Sequence, residues 1–169
     1  VERLATHGGS LRLFCAHLAS DHPETQALRD LRAEEIAADL DKPSGYEGFA
    51  TRVEAVRDSF LAFLAEAKAQ GKTVAAYGAA AKGNTFLNYA GVTPDDIVAA
   101  FDANPHKQDR FLPGTHIPVH APAMIAEFKP DYVVILPWNL KDEIMGQLAY
   151  IRDWGGQFVT AAPDTKVVG

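Results

Sequence analysis

Cysteine is almost missing from this chain of 169 residues, in which Cys15 is the single example. One thiol cannot close an internal disulfide, and it cannot supply the cysteine cluster that structural zinc requires. The composition therefore predicts a protein of the reducing cytoplasm without a structural zinc site. We expect Cys15 itself to be an inert core residue, because it lies in an apolar stretch without an activating neighbour.

Positive charge is also in short supply. The 16 lysines and arginines against 22 acidic residues give a formal net charge of -6, which opposes a general affinity for nucleic acid or an anionic membrane. An apolar run long enough to span a bilayer is absent, so no transmembrane segment is predicted. The opening residues, Val1–Leu4, do not resemble a signal peptide and lack an initiator methionine, as expected of a fragment.

The first part of the chain carries weak structural signals. Alternating apolar residues predict a strand over Gly8–Leu18, and a sparse pattern predicts a connecting helix between Pro23 and Leu40. A stronger pattern follows, where apolar residues recur every three or four positions from Phe49 to Ala67. We expect a long amphipathic helix there, ended by Gly71.

Short apolar strands alternate with helices from Lys72 onward. The predicted strands are Thr73–Tyr77, Ile97–Phe101, Tyr132–Leu136 and Gln157–Ala161, and the predicted helices are Ala81–Ala90, Ala123–Phe128 and Lys141–Trp154. Such alternation favours a parallel sheet with helices on both faces. The predicted fold class is therefore α/β, a Rossmann-like parallel sheet with flanking helices, preceded by a strand and a helical connector.

A turn of small residues, Gly78 to Gly83, joins the first of these strands to its helix. Ligands bind at this edge of open α/β sheets, and exposed N–H groups at a helix N-terminus hold phosphate. Lys82 in the first helical turn costs about 0.3–1 kcal/mol against the macrodipole, which a bound anion would offset. The turn predicts a phosphate site, although a plain tight turn with a solvated Lys82 explains it equally well.

The spacing of this turn matches neither common nucleotide motif. Lys82 precedes Gly83 instead of following it as in Walker A, and Ala80 stands where GxGxxG has its second glycine. Asp102 ends the second strand, about 20 residues on, where an acid would accept ribose hydroxyl hydrogen bonds in an NAD-binding fold. The alternative interpretation is therefore an NAD(P)- or CoA-binding Rossmann module of an oxidoreductase or regulatory protein.

Further polar candidates follow the third strand. Trp138 could stack on a base and Asn139 could hydrogen-bond it; alternatively, Trp138 fills space between helix and sheet, and Asn139 caps the next helix. His116 lies in a loop rich in proline and glycine, where a structural role is favoured over a ligand contact. The spacing of histidines and carboxylates predicts no metal site, and no nucleophile pairing assigns a catalytic residue.

Four motifs in order resemble the sugar C-methyltransferases of deoxysugar biosynthesis. They are Tyr77–Thr85, Asn104–Gln108, Leu112–Pro118 and Leu136–Asn139. The resemblance covers about residues 72–163, and Thr6–Arg12 is similar to the closing strand of that family's methyltransferase domain. One departure is Asp109-Arg110, where members of the family often carry Gly-Arg, so we expect the turn after Gln108 to differ.

The resemblance implies a part of a three-part enzyme: a zinc-binding segment, a central domain holding S-adenosylmethionine, and a C-terminal Rossmann-like domain that helps to hold a dTDP-linked keto sugar. Residues 1–45 would be a remnant of the methyltransferase domain edge with its connector, and residues 46–169 the nucleotide-sugar-binding domain. S-adenosylmethionine and the bases that deprotonate the carbon beside the ketone would lie outside this chain. The fragment alone would be inactive.

The resemblance also implies roles for individual residues. Those expected at the diphosphate are Gly78, Ala81, Lys82, Gly83 and Asn84. Those expected to border the nucleoside or diphosphate are Asp102, Asn104 and Lys107. His116, Trp138 and Asn139 would complete the pocket, and His7 and Arg12 would face the substrate from the methyltransferase side.

Overall fold

The N-terminal unit, Val1–Arg52, is assembled from short elements. The structure, a computed structural model, describes residues 1–6 and 9–168. Strands β1 (Glu2–Leu4) and β2 (Ser10–Arg12) form an antiparallel pair, and helix α1 spans Gln26–Ala37. A 3₁₀ turn follows at Pro43–Tyr46. None of the described residues of this unit is buried, so the unit has no core of its own.

Two predictions for this unit are wrong. The strand expected over Gly8–Leu18 covers only Ser10–Arg12, with Gly8 outside the described residues, and Cys15 is exposed rather than in a core. The physical reason is pairing: β2 bonds to β1 alone, and β1 offers three residues. Without a further neighbour the apolar residues beyond Arg12 have no ladder to join.

The second unit, Val53–Gly169, contains a sheet of seven strands. Its elements in chain order are the helix α2 (Phe49–Ala69, which begins in the first unit), β3 (Val74–Tyr77), α3 (Ala81–Ala90), β4 (Ala100–Phe101), β5 (Arg110–Phe111), β6 (Pro118–His120), α4 (Ile125–Phe128), β7 (Tyr132–Ile135), α5 (Lys141–Gln147), β8 (Gln157–Thr160) and β9 (Lys166–Val168). Short 3₁₀ segments occupy Pro122–Met124, Trp138–Leu140 and Ala149–Trp154.

The strand order is β5-β6-β4-β3-β7-β8-β9. The five strands from β6 to β8 run parallel, and the two edge strands β5 and β9 pair antiparallel. Helices flank this mostly parallel sheet. The predicted α/β, Rossmann-like fold class is therefore confirmed.

Side chains from alternate strand positions build a core on each face of the sheet, as the pleat requires. Ala76 and Val134 pack with Phe60 of α2 and Leu87 of α3 on one face. On the other face, Ala75 and Val133 pack with side chains of α5 and the 3₁₀ segment after it, such as Ile144 and Ile151. Both faces are covered, so β3 is buried along its whole length and β7 at all but its first residue.

Several element boundaries differ from the sequence predictions. The regular strand expected over Ile97–Phe101 covers only Ala100–Phe101, although Val98 N–H still donates to Val74 O. The helix expected over Lys141–Trp154 is α-helical only to Gln147 and then 3₁₀, and Gly146 weakens helix propensity at that point. Ala123–Phe128 is likewise part 3₁₀ and part α-helix. Strands β5, β6 and β9 were not predicted, because two or three residues carry too little alternation to be recognised.

One carboxylate ties together the amino ends of β3 and β7. Asp131 accepts hydrogen bonds from Lys72 Nζ at 2.8 Å, from Thr73 N–H at 2.8 Å and from the Thr73 hydroxyl at 3.0 Å. The Lys72 ammonium is the main cause of a lowered pKa of Asp131, and the bonds from Thr73 lower it further, against the opposing effect of burial. The ionised carboxylate is therefore the form that the folded state favours.

We expect Asp131→Asn to lower the free energy of unfolding by about 1–2 kcal/mol at neutral pH, because one charged acceptor serves three donors. A lowered pKa gives stability that is present above the unfolded value, near 3.9, and is lost as pH falls through the folded value. The gap between variant and wild type should therefore close under acid conditions. Urea unfolding across this pH range measures it, with the exposed Asp153→Asn as control. A constant gap at every pH would contradict the assignment.

Candidate functional site

The order of strands reverses between β3 and β7, and we call the region just beyond the carboxyl ends of these two strands the crevice. The chain runs from β3 outward to β4 and β6 on one side, and then returns to β7 and β8 on the other. In open α/β sheets this reversal leaves a ligand-binding crevice at the carboxyl ends of the two central strands. Here the strands are β3 and β7, which are followed by Gly78 and Leu136.

Two glycines allow the loop after β3 to approach the end of β7. Gly78 has a φ of 92°, and a Cβ on it would lie 2.6 Å from Cδ of Pro137. A Cβ on Gly83 would lie 2.7 Å from Cβ of Leu136. Any larger residue at either position would force the two sides of the crevice apart.

The first turn of α3 has no side-chain cap. Its N-cap residue, Ala80, has extended backbone angles and no polar side chain, so no side chain in the described part of the chain accepts from the first N–H groups of the helix. These groups and the positive end of the helix dipole lie beside the crevice. Backbone donors of this kind hold phosphate oxygens in many α/β proteins.

Lys82 links the two sides of the crevice. Its ammonium, on the first turn of α3, donates a hydrogen bond to Asn139 Oδ1 and lies 4.7 Å from the centre of the Trp138 ring. Both partners follow β7 and carry no formal charge. The Lys82 side chain is therefore held at the N-terminus of α3 by neutral groups.

The surroundings of Trp138 and Asn139 bear on the alternative roles predicted for them, which were base contact, space filling and helix capping. Asn139 does not cap α5: the N-cap residue is Leu140, and no side chain among residues 1–6 and 9–168 makes the capping bond. Trp138 is half-buried in the 3₁₀ segment that opens this turn, and one face of its indole receives the Lys82 ammonium. Asn139 is therefore not a helix cap, and both side chains lie against Lys82.

Asp102 lies beside the same loop, at the carboxyl end of β4, with 8% of its surface exposed. Its Oδ2 accepts from Ala79 N–H at 2.6 Å and from Lys107 Nζ at 3.1 Å. Its Oδ1 accepts from Asn104 N–H at 2.8 Å. Burial by itself would raise the pKa of Asp102, but these hydrogen bonds outweigh it and hold the pKa below its usual value.

The remaining predicted residues fall in different places. Ala81 is exposed at the start of α3, Asn104 is exposed beside Asp102, and the side-chain oxygen of Asn84 is buried without a hydrogen-bond partner among the described residues. Arg12, in the other unit, pairs with Glu2. His7 lies outside the described residues.

The structure does not bring His116 to the crevice. It lies in the loop between the antiparallel strands β5 and β6, ahead of the amino end of β6, whereas the crevice is at the carboxyl ends. His116 has a φ of 59°, and its N–H donates to Leu112 O at 2.9 Å. Its backbone therefore closes a turn near the amino end of β6, and its side chain is exposed.

The turn after Gln108 accounts for the unusual Asp109-Arg110. Asp109 has a φ of 58° and donates its N–H to Val119 O at 2.9 Å. Glycine takes this left-handed conformation freely, and aspartate is among the residues that tolerate it best. Aspartate therefore occupies a backbone position of the type that favours glycine.

Two residues of the site were not predicted from the sequence. Ala79 contributes only its backbone N–H, and Pro137 contributes the ring against which Gly78 packs. Neither residue type signals a site, and both contacts join segments far apart in the chain. Within the described residues, no group of three or more histidine, cysteine or acidic side chains is arranged to hold a metal ion. No helix there has the length and apolar character of a membrane span.

Fold and crevice together define a Rossmann-like domain whose switch point offers a cation and an uncapped helix N-terminus. The family model for the C-methyltransferase C-terminal domain matches residues 5–163, and the chain belongs to this family. C-methyltransferase NovU of Streptomyces niveus is 35% identical over 162 residues, which are 96% of this chain and 39% of that protein. The chain thus spans about two fifths of the length of this curated relative. The predicted resemblance to the C-terminal domain of C-methyltransferases is confirmed.

We expect Gly78→Ala to destabilise the fold by about 2–4 kcal/mol, since the added Cβ meets Pro137 and strains a positive φ. Gly155→Ala is the matched control: its φ of 85° is similar, but its Cβ would meet nothing within 4 Å. The control should cost only about 1–2 kcal/mol. Denaturant unfolding of both variants separates the cost of the contact with Pro137 from the cost of the positive φ. Equal losses of free energy of unfolding would mean that the contact does not contribute.

Proposed function

We propose that this domain binds the diphosphate of a nucleotide-linked sugar, of the dTDP-keto-sugar class, for a C-methyltransferase. The observation that supports it best is Lys82, a cation at an uncapped helix N-terminus in the switch-point crevice. Because the Lys82 ammonium is held by the neutral Asn139 and Trp138, an arriving phosphate would not have to break an ion pair. Charge-assisted bonds from Lys82 and the first-turn N–H groups would then bind it.

The nucleoside is expected beside Trp138 and Asn139. One face of the indole is taken by Lys82, so a base would stack on the opposite face. The amide of Asn139 is adjacent in the same turn. Gly78 and Gly83 keep this space narrow, so the ligand would be held between the two ends of the central strands.

The methyl donor, S-adenosylmethionine, suits this crevice poorly. Its sulfonium carries a positive charge, which Lys82 would repel, and the oxygens of Asp102 already have donors from the protein. We therefore propose that the donor binds elsewhere in the whole enzyme, and we assign no step of methyl transfer to these residues. The contribution of this domain is to hold and orient the substrate, which is a large part of many rate enhancements.

Residues 1–45 are proposed to be the edge of the methyltransferase domain with its connector, and residues 46–169 the nucleotide-sugar-binding domain. A short antiparallel strand pair without a buried residue is typical of a piece that completes a larger sheet. The exposed apolar side chains of this piece include Leu13, Phe14 and Leu18. The whole enzyme is proposed to act in the cytoplasm, and this portion alone is proposed to be inactive because the donor site is elsewhere.

The alternative is an NAD(P)- or CoA-binding module. Gly78 and the acid Asp102 at the end of the next strand favour it, while Ala80 in place of the central glycine opposes it. Isothermal titration of the protein with dTDP, NAD(H), coenzyme A and S-adenosylmethionine at one salt concentration separates the two functions. Selective binding of dTDP supports the proposal, whereas selective binding of NAD(H) or coenzyme A, or binding of none, overturns it.

Lys82→Ala should weaken dTDP binding about tenfold, because it removes a charge-assisted hydrogen bond to phosphate. Thermal stability should change little, since Lys82 is exposed and its partner Asn139 is partly exposed. Lys68→Ala is the control: it removes another exposed lysine, which lies on α2 and 3.9 Å from Asp96. An unfolded Lys82→Ala would place this lysine in the scaffold instead of the binding site, and equal weakening by both variants would indicate only a general effect of charge.

A further inference from the structure

We infer that Asp102 is a positioning residue that fixes the loop between β3 and α3, rather than a ligand of the nucleoside ribose. The inference rests on the proposed function and deepens it. It reverses the role that its position at the end of β4 suggests, in which an acid at this point of a Rossmann-like sheet accepts from ribose hydroxyls.

The hydrogen bonds of the carboxylate carry this inference. Both oxygens are engaged within the protein, with Ala79 N–H at 2.6 Å and Lys107 Nζ at 3.1 Å on Oδ2 and Asn104 N–H at 2.8 Å on Oδ1. Only 8% of the residue is exposed. A ribose diol would have to displace donors that are already well placed, and each displaced N–H would be left without an acceptor.

The bond from Ala79 sets the geometry of the anion loop. Ala79 lies between Gly78, where the chain leaves the sheet, and Ala80, the N-cap of α3. Gly78 N–H donates to Phe101 O at 2.7 Å, immediately before Asp102. Two successive N–H groups of the loop are thus tied to the end of β4, and this fixes the direction in which the following N–H groups of α3 point.

The same carboxylate separates the roles of two lysines. Lys107 is paired with Asp102, so its charge is locally neutralised. Lys82 has only neutral partners among the described residues and carries the charge that faces the crevice. Asp102 therefore fixes the backbone of the anion site. It also leaves Lys82, and not Lys107, as the lysine whose charge faces that site.

Two probes distinguish positioning from ribose contact. Inorganic pyrophosphate contains the anion without a ribose, and dTDP contains both. If Asp102 positions the loop, Asp102→Asn weakens the binding of both probes by a common factor of about ten, the effect of losing one hydrogen bond to a charged acceptor. If Asp102 contacts the ribose, only dTDP binding weakens, which overturns the inference.

Amide hydrogen exchange followed by NMR reports the loop without a ligand. In Asp102→Asn the Ala79 amide should exchange faster, while amides in the middle of β3 and β7 keep their protection. Asp95→Asn is the control, because it removes the same charge from an exposed residue in another loop. Unchanged exchange at Ala79 in a folded Asp102→Asn protein overturns the inference.

The wild-type protein provides a readout should Asp102→Asn fail to fold. Addition of dTDP leaves Ala79 exchange slow if Asp102 stays its acceptor, and accelerates it if ribose takes the carboxylate. A wild type that binds neither pyrophosphate nor dTDP overturns the proposed function and the inference with it. A wild type that binds both, with a folded Asp102→Asn that binds them equally well, overturns the inference alone.

Discussion

The register of β3 with its two neighbours is the constraint on which the crevice depends. Tyr77 pairs with Phe101 of β4 on one side and with Ile135 of β7 on the other. Three strands therefore end at one level, and the residues that follow them, Gly78, Asp102 and Leu136, emerge side by side. A shift of one residue in either pairing would turn these positions to the opposite face of the sheet. Burial of the whole of β3 opposes such a shift, so the packing of the core sets the geometry of the site.

The crevice is a small region of positive charge in a chain whose net charge is negative. The chain has a formal net charge of -6, yet the crevice combines a lysine with the positive end of a helix dipole. Asp102, at the end of β4, is occupied by Lys107 and by two N–H groups. A ligand anion would thus meet a local positive potential, while the negative surface elsewhere disfavours nonspecific polyanions.

Much of the fold was predictable from local patterns, because helices and central strands each have a characteristic spacing of apolar residues. The sequence predicted α3 at Ala81–Ala90 with its bounds, and it predicted the strand that becomes β7. Edge strands of two residues and the end of the opening strand were not predictable, since they depend on which neighbours are available for pairing.

Parts of the site were predictable for a different reason. A lysine after a run of small residues signals an anion through its unfavourable place in a helix, without reference to any distant contact. The pairing of Lys82 with Asn139 and of Ala79 with Asp102 joins residues 57 and 23 positions apart, and no local pattern encodes it. The same limit explains His116: its motif was recognised, but only the antiparallel course of β5 shows that it lies at the far edge of the sheet.

Because the Lys82 ammonium contacts the Trp138 ring, the intrinsic fluorescence of this tryptophan reports on the crevice. Indole emission responds to nearby charge, and a phosphate that draws Lys82 away from the ring would change the surroundings of this fluorophore. The second tryptophan, Trp154, donates to Pro130 O at 3.1 Å and packs in the core on the α5 face of the sheet. Its emission forms a steady background, so occupancy of the crevice becomes visible in unlabelled protein.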